Sequence, residues 1–193
     1  SNPKHVVRGQ YEGYQKEEAN LANSKTETFT ALKLFIDNRD WHGVPFYLRT
    51  GKCLSQKSTY VVIEFKPHIF QKTLDKNHQA NKLIIELQPN EKIEFQLLTK
   101  RAGVDLDFIP LNTGKPIYCS GDCQSEHARL LLDVIRNNKL LFLDFPEIYE
   151  AWKVVDPIAK LFSQNVVPLE TYSCKSNGPD SASELIQWFE YGT

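Results

Sequence analysis

Three side chains in this sequence have the types and placement to hold a small hydroxylated anion. Lys52 and Lys57 are five residues apart in "LRTGKCLSQKS", where an apolar strand runs out into a loop. Gly51 permits a backbone turn there that other residues resist. Two ammonium groups with Ser55 and Gln56 between them suit a sugar phosphate: point charges for the phosphate, neutral donors for the hydroxyls. Gln88 ends the strand of "IIELQPNE", where its amide could reach a ligand hydroxyl or cap its own hairpin. The residues alone favour the plainer alternatives. Surface lysines are usually solvated, and polar side chains at hairpins usually bond locally or to water.

Other chemistry-bearing groups carry weaker signals. Cys119, Cys123 and His127 form C-x3-C-x3-H, but the spacing is not a usual zinc pattern and a fourth ligand is lacking. No metal site is expected. Together with Cys53 and Cys174 these cysteines do not space out a disulfide framework, so reduced thiols are expected. His5, His42, His68, His78 and His127 lack a local acid at a telling spacing, so loop or surface roles are expected rather than a general base. Trp41, Trp152 and Trp188 read as core or interface anchors.

The elements that must position these residues are mostly strands, then helices. "TETFTALKLFID" (Thr26 to Asp37) alternates in a way that predicts a long strand. "PFYLRT", "STYVVIEFK", "NKLIIELQ" and "EKIEFQLLTK" predict four more. Pro89 and Asn90 join the last two as a hairpin. "SEHARLLLDVIRNNK" predicts a helix capped by Ser125. "PEIYEAWKVVDPIAKLF" predicts a second, with Pro146 at its start and a break or kink at Pro157. "GPDSASELIQWF" predicts a third from Pro179, with Leu185, Ile186 and Phe189 facing inward. The expected class is α+β: a large, mostly antiparallel β-sheet with helices packed on one face. Thr28, Leu32, Leu34 and Ile36 would lie on the other face and want a partner. "SNPKHVV" is short and polar, and no structure is read into it.

Composition narrows the functions. The chain has 193 residues, 41% hydrophobic and 24% charged, enough for one large domain with its own core. A net charge of −1 lacks the basic excess of a nucleic-acid binder. No apolar run is long enough to span a membrane and no leader is visible, so a cytoplasmic protein is expected. No G-x-G-x-x-G or Walker motif marks a nucleotide-binding βαβ unit.

Several stretches together resemble the C-terminal domain of the glucose-6-phosphate dehydrogenase family. "VRGQYEGY" resembles its V-x-G-Q-Y entry, and "ETFTALKLFIDNRDWHGVPFYLRTGKCL" its strand and R-x-G-K block. "ELQPNE", "HARLLLDVIRNNKLLF", "EAWKVVDPI" and "NGPDSASELI" follow in family order across almost the whole chain. The resemblance implies an enzyme that oxidises glucose 6-phosphate with NADP to the 6-phosphogluconolactone, at the entry to the oxidative pentose phosphate pathway. The coenzyme and the catalytic histidine belong to an N-terminal Rossmann-type domain whose motifs this chain lacks. Residues 1–193 would then be a single C-terminal substrate-binding and dimerisation domain, excised from a longer enzyme and inactive alone. Lys52 and Lys57 match family cations that touch glucose 6-phosphate, and Gln88 matches a glutamine at the substrate site. The implied partners are glucose 6-phosphate, the enzyme's own N-terminal domain and a second copy joined through the sheet. An alternative is a stand-alone, non-catalytic sugar-phosphate sensor that kept the dimer sheet.

Mammalian-type members also hold a structural NADP in this domain. Of those positions Arg49 remains, while Glu86, Glu94 and Gln96 replace arginine, tyrosine and lysine, and Val62 replaces a further arginine. Added carboxylates repel a phosphate, so no structural NADP is expected. Micromolar binding in equilibrium dialysis would overturn that expectation.

Overall fold

The computed structural model describes residues 2–18, 21–67, 80–104, 108–116 and 126–189. They form two compact units, Ser1–Gln56 with Glu126–Thr193, and Lys57–Ser125.

The first unit is built on four strands, β1 (Val6–Tyr11), β2 (Phe29–Phe35), β3 (Pro45–Gly51) and, late in the chain, β8 (Leu169–Tyr172). They form one sheet in the order β3-β2-β1-β8. β1 pairs antiparallel with β2 and parallel with β8, and β2 pairs antiparallel with β3. β3 and β8 therefore run the same way and leave the sheet at the same end. A 3-10 turn (Pro3–His5) leads into β1, so this short polar segment feeds the centre of a sheet. Val6 and Val7 are both buried, on opposite faces.

Both faces of this sheet are covered. On one, Val6, Leu32 and Leu34 pack with Ile158 and Phe162 of α3 (Phe145–Ser163) and with Val167. Leu32 and Leu34, expected on an open face, are thus covered by the chain's own helix, because α3 supplies an apolar stripe of matching position. On the other face, Val7, Phe29, Ala31 and Tyr172 pack with Ala182, Leu185 and Trp188. The closing "NGPDSAS" lies directly on the sheet there. A Cβ on Gly9 would come 2.6 Å from Pro179 Cγ, and one on left-handed Gly178 would come 2.2 Å from Phe29 Cε2. Only glycine fits at either position.

α3 starts at a capping box: Asp144 accepts from the Glu147 N–H at 2.9 Å, and Glu147 accepts from the Asp144 N–H at 2.8 Å. Pro157 does not break it. The bond Pro157 forfeits is to the Lys153 carbonyl, and both residues are solvent-exposed, so water can take its place. Among the described residues the helices before α3 are α1 (Tyr14–Glu17) and α2 (Glu126–Ile135); the Ser125 cap lies outside the described residues. The helix expected from Pro179 shrinks to one turn, α4 (Ala182–Leu185). Trp188 Nε1 donates to the Ala182 carbonyl at 2.8 Å, taking the acceptor that helix continuation would use.

The second unit is an antiparallel meander. β4 (Thr59–Glu64), β5 (Lys82–Gln88) and β6 (Lys92–Lys100) are close to expectation. β7 (Phe108–Pro116) pairs with β6 along its length, and the sheet runs β4-β5-β6-β7. Pro110 and Pro116 are tolerated on this outer strand, where a missing donor costs no ladder bond on the open side. The class is α+β, with the strands laid in two sheets of four rather than one.

Candidate functional site

Lys52 follows the last residue of β3 and is exposed. The backbone around it is fixed from several sides. Its N–H donates to the Thr28 carbonyl at 2.8 Å. Its carbonyl accepts from the Tyr172 hydroxyl at 2.7 Å. Tyr172 is buried, and burial pushes its phenol pKa up, which keeps the donating proton in place. Phe29 and Leu54 close on Gly51, where a Cβ would come 2.8 Å from the Phe29 ring.

The next residue overturns the expectation of four reduced thiols. Cys53 and Cys174 form a disulfide with their Cα atoms 5.0 Å apart. Cys119 and Cys123 lie outside the described residues. The pairing spans 121 positions, so no local spacing announced it. It follows from topology: β3 and β8 leave the sheet at one end, and the loop after each carries one cysteine. The two loops are further joined by Lys175 N–H to the Cys53 carbonyl at 2.7 Å and Ser55 N–H to the Ser176 carbonyl at 2.9 Å. Ser55 Oγ also donates to Asn177 Oδ1, so its hydroxyl is already engaged.

The other two candidates belong to the second unit. Lys57 is exposed, two residues ahead of β4. Gln88 is exposed at the end of β5, where it pairs with Thr59. The meander thus brings Lys57 and Gln88 to one end of the β4–β5 pair, while Lys52 sits on the first unit's loop. Thr28 and Tyr172, which hold the Lys52 backbone, carried no functional signal in the sequence: Thr28 lay in an expected strand, and the short β8 that carries Tyr172 was not expected.

The positions expected to disfavour a structural NADP can also be located. Glu86 is buried on the face of β5 that carries Ile84. Lys92 and Glu94 stand opposite Glu86 and Ile84 on β6, and Lys92 Nζ lies 2.5 Å from the Glu94 carboxylate. Arg49 belongs to the first unit, its guanidinium 5.0 Å from the Trp188 ring centre. Arg49 and Trp188 line a cavity of about 340 Å³ with Asn177, Asp180 and Gln187 among its other walls; Lys52 is not one of them.

Among the described residues no group of three metal-ligating side chains comes together. His127 is exposed on α2. His42 Nδ1 lies 3.4 Å from Asp37, with both side chains in solvent, where such a pair does little. His68 and His78 lie outside the described residues.

Comparison with known proteins agrees with this architecture. The family described as "Glucose-6-phosphate dehydrogenase, C-terminal domain" matches residues 1–191. The glucose-6-phosphate 1-dehydrogenase of Rhizobium meliloti is 38% identical, over 94% of this chain and 40% of the relative. That of Streptococcus pneumoniae is 34% identical, over 96% of this chain and 39% of the relative. The chain therefore spans about two-fifths of the length of these curated relatives. The crystal structure of the Mycobacterium avium enzyme superposes with a TM-score of 0.78 at 28% identity, covering 98% of this chain and 41% of that one. A glucose-6-phosphate dehydrogenase in complex with its substrate glucose-6-phosphate shares the fold at TM-score 0.73 and 22% identity, over 98% of this chain and 42% of that one. With the match running over residues 1–191, the chain is a member of the glucose-6-phosphate dehydrogenase C-terminal domain family.

Proposed function

We propose that this chain is the substrate-binding and dimerisation domain of a glucose-6-phosphate dehydrogenase. In that reading Lys52 and Lys57 hold the phosphate of glucose 6-phosphate, and the Gln88 amide takes a sugar hydroxyl. The observation that carries it is the treatment of Lys52. An exposed ammonium group rises from a backbone whose N–H and C=O are both bonded within the protein, beside a glycine closed in by Phe29. A merely solvated lysine needs no such support, whereas a cation that must meet a phosphate gains from being held in place before binding.

The chemistry resides in the whole enzyme. A histidine of an N-terminal Rossmann-type domain would take the proton of the C1 hydroxyl, and NADP held in that domain would supply the hydride acceptor, while this chain's cations fix the sugar phosphate. No second, structural NADP is held by this domain: Glu86 and Glu94 put two carboxylates on one face with Lys92, and Trp188 covers a face of Arg49. The enzyme works as a homodimer joined through sheet surface. The apolar side chains Val61, Ile63, Phe95 and Leu111, all partly in solvent in the second unit, support that placement. A cytoplasmic location is part of this reading.

Lys52→Ala in the natural-length protein raises KM for glucose 6-phosphate by at least about tenfold, the loss of a charge-assisted phosphate contact. A KM within about twofold of the parent, the scale of a weak surface contact, would reject the assignment.

A further inference from the structure

Lys52 is followed at once by a half-cystine whose partner lies in a different loop. Cys53 itself adopts a left-handed backbone, φ 52°, and so does Lys175, next to Cys174, with φ 64°. Side-chain-bearing residues resist that region and persist there when their surroundings over-determine them. Here the surroundings are the disulfide and the Lys175 N–H to Cys53 carbonyl bond at 2.7 Å. Both cysteines are solvent-exposed residues, so an external thiol can reach the bond. Disulfides in cytoplasmic proteins are typically transient rather than permanent.

We propose that the Cys53–Cys174 disulfide is the positioning element for Lys52, and that opening it weakens the grip on the sugar phosphate. The proposal rests on Lys52 being a substrate contact. An external dithiol opens the bond by exchange. One thiolate attacks a cysteine sulfur to give a mixed disulfide, and the second displaces it. The protein's S–S bond becomes two thiols, taking up two electrons and two protons, and the dithiol becomes a disulfide. With the link gone, left-handed Cys53 is free to relax, and the loop that carries the Lys52 ammonium keeps its bonds to Thr28 and Tyr172 but loses its covalent anchor on the far side. The cost falls on binding. The reacting atoms are untouched, so turnover at saturation is preserved.

The test measures KM and kcat for glucose 6-phosphate in the natural-length protein, oxidised, reduced with dithiothreitol, and as Cys174→Ser. Thiol alkylation confirms which samples are open. The expected result is a KM about fivefold higher in both the reduced parent and Cys174→Ser, with kcat within about twofold and the variant indifferent to dithiothreitol. An unchanged KM in the reduced parent overturns the proposal, even if thermal stability falls, because a purely structural bond acts on stability alone. The reduced parent keeps the test valid if Cys174→Ser fails to fold. Lys52→Ala separates the two layers. Normal KM in Lys52→Ala defeats the substrate-contact reading, whereas a raised KM there with a normal KM in the reduced parent defeats only the positioning role.

Discussion

The two units make sheets by opposite means. In the first, β1 sits between a parallel and an antiparallel neighbour and is buried on both faces. Polar residues follow it inside. Arg8 is 2% exposed, yet its guanidinium donates to the Val167 and Phe162 carbonyls at 2.9 and 3.0 Å and to Asn165 Oδ1 at 3.1 Å. It also lies 5.2 Å from the Phe162 ring centre, so it closes the C-terminal end of α3 with a positive charge where the helix dipole favours one. Gln10 donates to the Ser24 and Thr26 carbonyls, both at 2.9 Å, and pins the chain that leads into β2. The second unit has a lighter scaffold, in which Asn81 Oδ1 accepts from the Leu98 N–H at 2.8 Å. It is held by ladders between consecutive strands, with Ile84 and Glu86 of β5 at its centre and many apolar side chains left partly in solvent. Where long-range polar contacts fix the backbone, a ligand group is aimed by the interior. Where only a ladder does, it is aimed by the end of a strand.

Arg8→Ala should make the largest difference between the units. It leaves the Phe162 and Val167 carbonyls without their charged donor, at roughly 1–3 kcal/mol for each buried group, for a total of about 3–5 kcal/mol with the lost packing. Amide exchange should quicken in β1 and β8 and hold steady in β5 and β6. Equal acceleration in all four would erase the distinction. A matched pair of glycines gives a smaller contrast. Gly9→Ala drives a Cβ into the ring of buried Pro179 and should cost about 1–3 kcal/mol. Gly114→Ala meets the far end of the Lys92 side chain at 2.8 Å, which can swing away, and Glu94 Cβ at 3.1 Å, which needs only a small shift of an outer strand, so about 1 kcal/mol or less is expected. Similar urea midpoints for the two variants would show that closeness alone, not rigidity, sets the penalty.

The smallest effect is alkaline. The Tyr11 phenol donates to Glu17 Oε1 at 2.6 Å, and the carboxylate, with burial, pushes its pKa up to about 12. Burial raises Tyr172 as well. A raised tyrosine pKa means that the neutral form is favoured in the fold. The stabilisation is complete below the ordinary tyrosine value near 10 and is lost as the pH climbs from there towards about 12. Melting temperature should therefore fall over that window, and Tyr172→Phe should blunt the fall. A flat profile would mean that neither phenol is linked to folding.

Strands with a period of two facing one core are legible in the residues themselves. β2 and β4 to β6 advertise themselves through alternation and β-branched residues. β1 does not, because "VVRGQY" is buried on both sides and carries an arginine and a glutamine whose partners lie outside the strand, those of Arg8 far along the chain. β7 is hidden by its prolines and glycine. α4 looks longer in the sequence because the pattern cannot reveal that an indole will claim a helix carbonyl. For the site, Lys52, Lys57 and Gln88 are visible as residue types, but only the family resemblance lifts them above ordinary surface groups. The disulfide beside Lys52 is invisible in the sequence, since it depends on β3 and β8 running in the same direction.

The parallel pairing of β1 with β8 also sets a timetable for synthesis. β4 to β7 join neighbours in sequence, so the meander can close as it leaves the ribosome. β1 is made well before its partner, and its flank stays open until Leu169–Tyr172 emerges, while Gly9 stays uncovered until Pro179 arrives. Throughout that interval the nascent chain carries a strand with one unpaired edge, an invitation to the wrong partner. A chaperone that shields Val6–Tyr11 would be most useful before the codons for Leu169–Tyr172 are read.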